Sequence, residues 1–446
     1  MKKIASAICL IILTCLWFSG CSGVSFNTSD LMRPPRATGE RAGIQKIIDS
    51  TANGKYTFKY PLSGNYRSAI VMYDITNDGQ DDAIAFYRTQ DDAITHILIM
   101  RQNNAEWELI GNFETKSPEI SKISFSDIDG DDYKEIIVSF TTYSSDLSSI
   151  SIYSYNGSKI DNLDIAETCT DYVIGDFTDN GVDDILLLSL FSNDVKASAK
   201  LLDYNKSSGR YRIKSSVEMD SGVSVFANIV YGNITNGVKG AVIDGQGVDN
   251  NYYTQIIFYN KSKNRLENSL YSTLGENKSM HRQNGAISID IDDDGIIEVP
   301  TTSVISFSGI VNDSVAQTVT EVVYNIYNTK SMTYTEKYRY IIYPQYDIAY
   351  KIPSKLYGKI TAKIDEAEQT LTVYSLSADG TNQKSTMLFT IRVYDKQSWA
   401  GNDNSTYKFL ADKSDYIITY LIGTNSGYNI TKSELLKSIS YLDIIK

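Results

Sequence analysis

Short apolar runs, each broken by polar turns, organise the chain downstream of Tyr66. Residues 69–73, 83–87, 136–140 and 185–191 are rich in β-branched and aromatic side chains and are bounded by Asp, Asn and Gly, the pattern of strands separated by turns. In the first stretch this predicts strands over 68–75, 83–88, 95–101 and 107–114, and residues 121–157 begin the same order of runs again. Upstream, Ile44, Ile47 and Ile48 fall on one helical face and predict a helix over 39–52. That helix is expected to pack on the strand units. A strand-like segment over 56–60 is expected to pair with the last unit.

The polar breaks are themselves repeated. DITNDGQDD from Asp74, DIDGDDYKE from Asp127, DFTDNGVDD from Asp176 and DIDDDGIIE from Asp290 place oxygen-bearing residues at positions one, three, five and nine. The first three starts fall about fifty residues apart and the last gap is about twice that, the signature of a structural repeat. At the middle of the long gap stands GNITNGVKGAV, which keeps Asn233 and Thr235 but lacks the closing acid. Five repeats follow, each long enough for four strands, and the expected fold is mainly β: a β-propeller of about five four-stranded repeats over 39–342.

Calcium prefers six to eight oxygen ligands in flexible geometry, and these loops can supply them. The side-chain donors are Asp74, Thr76, Asp78 and Asp82 in the first loop, and Asp127, Asp129, Asp131 and Glu135 in the second. In the third they are Asp176, Thr178, Asn180 and Asp184, and in the last Asp290, Asp292, Asp294 and Glu298. A seventh-position carbonyl would come from Gln80, Tyr133, Val182 or Ile296. Gly79, Gly181 and Gly295 stand at the sixth position, where a sharp turn calls for positive φ, and Asp132 replaces glycine in the second loop. An EF-hand would close at position twelve between helices, whereas here the closing acid is ninth and the flanks are strands. One such loop alone reads as a solvated acidic turn. Four in a single register read as Ca2+ sites with a structural role.

With these loops and their apolar flanks, residues 66–340 resemble the FG-GAP or VCBS repeats of integrin α-subunit propellers and many bacterial surface proteins. The resemblance implies a propeller that binds calcium in loops on its rim or one face and serves as a recognition platform. The copy at Asn233 departs from the pattern and is left out of the calcium set.

The N-terminus sets the compartment. Lys2 and Lys3 precede an apolar run over 4–18 that ends in Phe18-Ser19-Gly20-Cys21, a secretory signal with the look of a bacterial lipobox. It implies cleavage before Cys21, lipid attachment there, and display at the extracellular face of a bacterial membrane. Residues 21–38 read as a tether. Of four cysteines, Cys9 and Cys15 leave with the signal and Cys21 is acylated, so only Cys169 remains and no intramolecular disulfide can form. Cys169 itself reads as a buried or idle residue in a strand connection. Loss of Lys2 and Lys3 takes the net charge from −12 to −14, which argues against nucleic acid as a partner.

Beyond Tyr343 the acidic repeat stops. Alternating runs at 358–364, 371–376, 387–394 and 416–422, a hairpin turn at 378–381 and a capping box Thr431-Lys432-Ser433-Glu434 predict a small α+β domain over 343–446. Catalytic motifs are scarce. His96 and His281 are the only histidines and neither stands in a zinc pattern, and there is no GxSxG elbow, P-loop or dinucleotide fingerprint. The 33 tyrosines suit half-buried sheet faces. Exposed ones at one propeller face would be the first place to seek a ligand. The expected function is a lipid-anchored, calcium-binding module for a glycan, peptide or neighbouring surface protein. The alternative is an extracellular enzyme acting on polysaccharide, with its site in the propeller funnel or at the domain border.

Overall fold

The computed structural model describes residues 40–441 apart from 91, 93, 105, 116, 143–144, 193–195, 271–279, 283–284, 307–317, 377–385, 401–405, 425–427 and 429. The expected signal, Cys21, the tether and the hairpin turn at 378–381 lie outside the described residues.

The fold is mainly β, and the described residues form six antiparallel sheets. The first holds β1 (Tyr56–Phe58), β2 (Ile70–Tyr73), β3 (Asp82–Thr89), β4 (His96–Asn103) and β5 (Glu106–Glu114). The second is β6 (Glu119–Ser126), β7 (Glu135–Thr142), β8 (Ser145–Tyr155) and β9 (Ile160–Cys169), and the third is β10 (Asp171–Gly175), β11 (Asp184–Ser189), β12 (Ser198–Asn205) and β13 (Arg210–Glu218). Each is an up-and-down meander joined by short connections, as the alternation of apolar runs and turns requires. The fourth sheet adds β14 (Val223–Thr235), β15 (Val238–Gly247), β16 (Tyr252–Asn260) and β17 (Arg265–Asn268), with β18 (Met280–Arg282) pairing the free part of β16.

The fifth sheet runs β19 (Val299–Ser306), β20 (Thr318–Asn328), β21 (Thr333–Tyr343), β22 (Ile348–Lys351) and β28 (Ile439–Tyr441). The sixth contains β23 (Ile360–Asp365), β24 (Thr370–Ser375), β25 (Thr386–Asp395), β26 (Lys408–Asp412) and β27 (Tyr416–Ile422). The border expected at 343 therefore falls inside the fifth sheet, which takes β22 and β28 from beyond it. Ile341 and Tyr343 of that sheet share one core with Leu371, Phe389 and Ile418 of the sixth.

Hydrophobic faces join the sheets in series. Ile84 and Ile97 of the first meet Ile123 and Val138 of the second, while Ile137 and Ile152 meet Ile185 and Leu187 of the third. Leu186 and Leu201 meet Ala241 and Ile257 of the fourth, whose opposite face, with Val242 and Ile256, meets Val299 and Tyr327 of the fifth. Among the described residues no such cluster joins the first sheet to the sixth.

The other face of the first sheet is covered by α1 (Glu40–Ala52), whose Ile44 and Ile48 are buried on Ala85, Tyr87, Leu98 and Met100. Each isoleucine contributes on the order of 2 kcal/mol by leaving water. β1 follows the helix and pairs with β3, Tyr56 opposite Thr89, and not with the last unit as the sequence suggested. The reason is local. β2 covers only Asp82–Ala85 of β3, leaving an open edge at Tyr87–Thr89 that β1 fills, with Tyr56 edge-on to Tyr87.

Candidate metal centres

All four acidic loops fold alike. In each, the residue before position one pairs across the ladder with the ninth: Tyr73 with Asp82, Ser126 with Glu135, Gly175 with Asp184 and Ile289 with Glu298. Positions four and six both take positive φ: Asn77 and Gly79, Gly130 and Asp132, Asp179 and Gly181, Asp293 and Gly295. This wraps the loop around its own first side chain. Asp74 accepts from the N–H groups of Asp78 and Gly79, Asp127 from Asp131 and Asp132, Asp176 from Asn180 and Gly181, and Asp290 from Asp294 and Gly295. The fifth side chain then accepts from the seventh N–H, so Asp78, Asp131, Asn180 and Asp294 place Gln80, Tyr133, Val182 and Ile296.

The ninth acid closes each loop from the start of the next strand. Asp82 accepts from the N–H groups of Ile75 and Thr76, Glu135 from Ile128, Asp184 from Thr178 and Glu298 from Ile291. All four closing acids are buried, and burial raises each carboxyl from its ordinary range: Asp184 to about 6, Glu135 to about 7, and Asp82 and Glu298 upward as well. A buried carboxylate held in this state gains from a nearby cation.

The second loop shows the need most plainly. Asp127, Asp129 and Glu135 bring one carboxylate oxygen each within 4.8 Å of one another. Burial and then the charges of Asp131 and Asp127 push Asp129 up to about 6, and its Oδ1 is buried without a hydrogen-bond partner. Lys206 donates to the Gly130 carbonyl at 3.2 Å, and no ion pair among the described residues reaches the loop's carboxylates. In the first loop the Thr76 hydroxyl, also at position three, is buried and makes no hydrogen bond of acceptable geometry. The orphaned Asp129 oxygen fits an absent ligand bond to a hard cation. In the third loop Thr178 Oγ1 donates to Asp184 instead, at 3.1 Å.

The last loop has the same four acids as the second, and Asp290, Asp292 and Asp294 also converge within 4.8 Å. Here a side chain already supplies the positive charge. Lys337 of β21 donates to Asp292 at 2.9 Å, Asp294 at 2.6 Å and Glu298 at 2.8 Å, and the Tyr338 hydroxyl donates to Asp292 at 2.8 Å. Burial pushes Asp292 up, but Lys337 and Tyr338 outweigh it and hold the carboxyl below its usual value. For Lys337, burial is outweighed by Asp294, Glu298 and Asp292, which raise the ammonium above its usual range.

The degenerate copy is not a loop at all. Thr235 pairs with Val238, so Asn236-Gly237 is a two-residue hairpin turn with Gly237 at φ 73°. Asn233 instead bonds forward, its amide donating to the Gly295 carbonyl at 3.0 Å. The fourth unit carries a charge pair that no motif announced. Asp244 of β15 and Arg282 of β18 are fully buried and 2.9 Å apart, and Asp244 also accepts from Thr254, Ser288 and Asn228. With every lone pair engaged, this network ties residues 286–288 to the fourth sheet and is structural in character.

The histidines and the cysteine noted in the sequence lie apart from these loops. His96 lies in β4, bonded to Asp92 at 2.8 Å and stacked on Tyr87. The His281 side chain is outside the described residues. Cys169 is buried and its thiol is pushed up to about 12 by burial, which disfavours the reactive thiolate. The first strands of the second, third and fourth sheets, with Lys122, Phe125, Tyr172 and Phe226, and Tyr66 of the segment before β2 line a cavity of about 1000 Å³. Of its acids, Asp171 is ion-paired with Lys122 and Asp183 accepts from the Ser126 hydroxyl. Among the described residues no helix is long and apolar enough to cross a membrane.

No protein-family model matches the chain, and no curated protein matches it. Among solved structures, a protein from Lactobacillus plantarum aligns over 73% of this chain and 85% of its own at 8% identity, with a TM-score of 0.29. The exotype rhamnogalacturonan lyase YesX aligns over 74% of this chain and 70% of its own at 13% identity and TM-score 0.29. BBS1N, from its complex with ARL6DN, aligns over 83% of this chain and 95% of its own at 10% identity and TM-score 0.27. At these scores the likenesses carry no argument about function.

Proposed function

We propose that the protein is a calcium-stabilised recognition module of propeller type, anchored through lipid on Cys21 at the outer face of a bacterial membrane and presenting its surface to a glycan, peptide or neighbouring protein. Meanders stacked face to face and a shared cavity lined by their first strands support the propeller arrangement. The observation that carries the calcium reading is the buried, unpartnered Asp129 oxygen inside a cluster of carboxylates whose protons are held to about pH 6 and 7. Asp74, Thr76, Asp78, Asp82 and the Gln80 carbonyl would hold the first ion. Asp127, Asp129, Asp131, Glu135 and the Tyr133 carbonyl would hold the second, and Asp176, Thr178, Asn180, Asp184 and the Val182 carbonyl the third. At Asp290, Asp292, Asp294, Ile296 and Glu298 calcium must displace the Lys337 ammonium and binds more weakly.

The ions neutralise crowded acids and pin the connection between the first and second strands of a unit. Their role is to hold a surface in shape. Calorimetric titration of calcium into metal-stripped protein, with magnesium as control, tests this. Saturable binding of three ions with a raised melting temperature supports it. Absence of binding at millimolar calcium reduces the loops to acidic turns.

A further inference from the structure

Where the fourth unit replaces its acidic loop with the Asn236-Gly237 turn, space opens on the loop-bearing side of the molecule. A cavity of about 550 Å³ lies there, bounded by the β14/β15, β16/β17 and β20/β21 turns and by the third loop. Its walls carry Lys239, Lys261, Lys263 and Lys330 against Asp176 and Asp179, a basic island in a chain of net charge −12. Lys261 pairs with Asp179 and Lys263 with Glu267. Lys239 and Lys330 are exposed and make no ion pair among the described residues.

We propose that this cavity binds an acidic saccharide, its carboxylate or sulfate groups held by Lys239 and Lys330. The volume lies in the range of small-ligand sites. Turns and the strand ends beside them form the walls, and the β14 edge there is already taken, the Asn233 carbonyl accepting from the Ile297 N–H, so an extended peptide finds no open ladder at that edge, while a charged sugar needs only the two ammonium groups and hydroxyl partners such as Thr329. The assignment gives the recognition reading a ligand class and rests on it. Asp176 links the two, because calcium held by that residue cancels negative charge on one wall.

The test is titration of the full chain with a glucuronate-containing tetrasaccharide, a sulfated disaccharide, a neutral glucan tetrasaccharide and tetraglutamate. One or both acidic sugars should bind and the neutral one should not, and Lys239→Ala with Lys330→Ala should weaken binding by about tenfold or more. Whichever acidic sugar binds more tightly separates carboxylate from sulfate recognition. Both lysines are exposed, so melting temperature should be unchanged. Failure of both acidic sugars to bind, binding indifferent to the double substitution, or tighter binding of tetraglutamate overturns the proposal. Calcium stoichiometry on the same preparation is read separately: loss of calcium binding with sugar binding intact sinks the metal reading alone.

Discussion

The loops at Asp127 and Asp290 carry the same donor set, three aspartates and a closing glutamate, in the same backbone wrap, yet they solve their electrostatic problem differently. In the first the carboxylates face one another with an orphaned oxygen and raised proton affinity. In the second an ammonium from β21 sits among them and depresses Asp292. The donors of a cation site are thus specified locally. Whether a lysine already stands among those donors is specified by a strand some forty residues away.

The largest effect should come from exchanging these solutions. Lys337→Met leaves three acids uncompensated and should cost about 2–3 kcal/mol in calcium-free urea unfolding, less than for a fully buried pair because Asp294 is partly solvated. The same variant should bind one calcium ion more tightly than the parent, and calcium should restore most of the stability. An unchanged unfolding curve and an unchanged calcium isotherm would show that Lys337 is a bystander.

The same neutralisation in the two loops should have opposite signs. Asp129→Asn relieves repulsion in the metal-free second loop and should raise calcium-free stability by about 0.5–1 kcal/mol while removing one calcium ion from the stoichiometry. Asp292→Asn removes a partner of Lys337 and should lower stability by about 1–2 kcal/mol. Two variants that move in the same direction would contradict the comparison.

The loops themselves were legible because their rule is local: acid spacing, turn residues and apolar flanks all lie within a few residues. The first unit's four strands, the helix carrying Ile44 and Ile48, and the C-terminal capping box, in which Thr431 and Glu434 bond reciprocally, were legible for the same reason. Lys337 was not. In TYTEKYRYIIY it reads as an outward-facing strand charge, whereas it stands at a β-bulge, unpaired between Glu336, opposite Asn325, and Tyr338, opposite Tyr324. Asp244 and Arg282 were likewise invisible, since each stands in its own strand and their pairing depends on β18 lying beside β16. By its spacing the ITNG segment reads as a decayed loop, yet its Asn-Gly dipeptide specifies a hairpin. β1 was foreseen as a strand but its partner was set by an edge that β2 leaves open.

Acid titration should separate the loops more gently. Asp129 at about 6 and Glu135 at about 7 hold protons in the fold that the unfolded chain has released at its ordinary 3.8 and 4.5. Between those values the folded state binds more protons, so these groups make metal-free stability fall as pH rises from about 4 to 7. Asp184, also at about 6, adds in the same direction. Asp292 is depressed, so its contribution is present above 3.8 and is lost as pH falls through the folded value. The difference in stability between parent and Asp129→Asn should therefore widen toward pH 8 and vanish near pH 4, and calcium binding at pH 6 should release protons detectable as a buffer-dependent heat. A difference that grows toward acid would reverse the assignment.

The smallest expected effect lies at Asp132, position six of the second loop, and Gly295 of the last loop sets its scale. Gly295 has φ 84° and a Cβ built there meets nothing within 4 Å, so Gly295→Ala carries only the backbone penalty of the left-handed region, about 1 kcal/mol. The second loop already bears that cost in Asp132 at φ 74°. Asp132→Gly should therefore stabilise the metal-free protein, by only a few tenths of a kcal/mol because glycine also loosens the unfolded chain. Asp132→Asn removes the same charge, keeps a Cβ and tolerates positive φ, so it isolates electrostatics from backbone strain. If Asp132→Asn matches Asp132→Gly, the gain is relief of crowded charge, and the contrast between the two loops is electrostatic at this position as well. If only glycine helps, the second loop is strained by its backbone independently of its crowded charge.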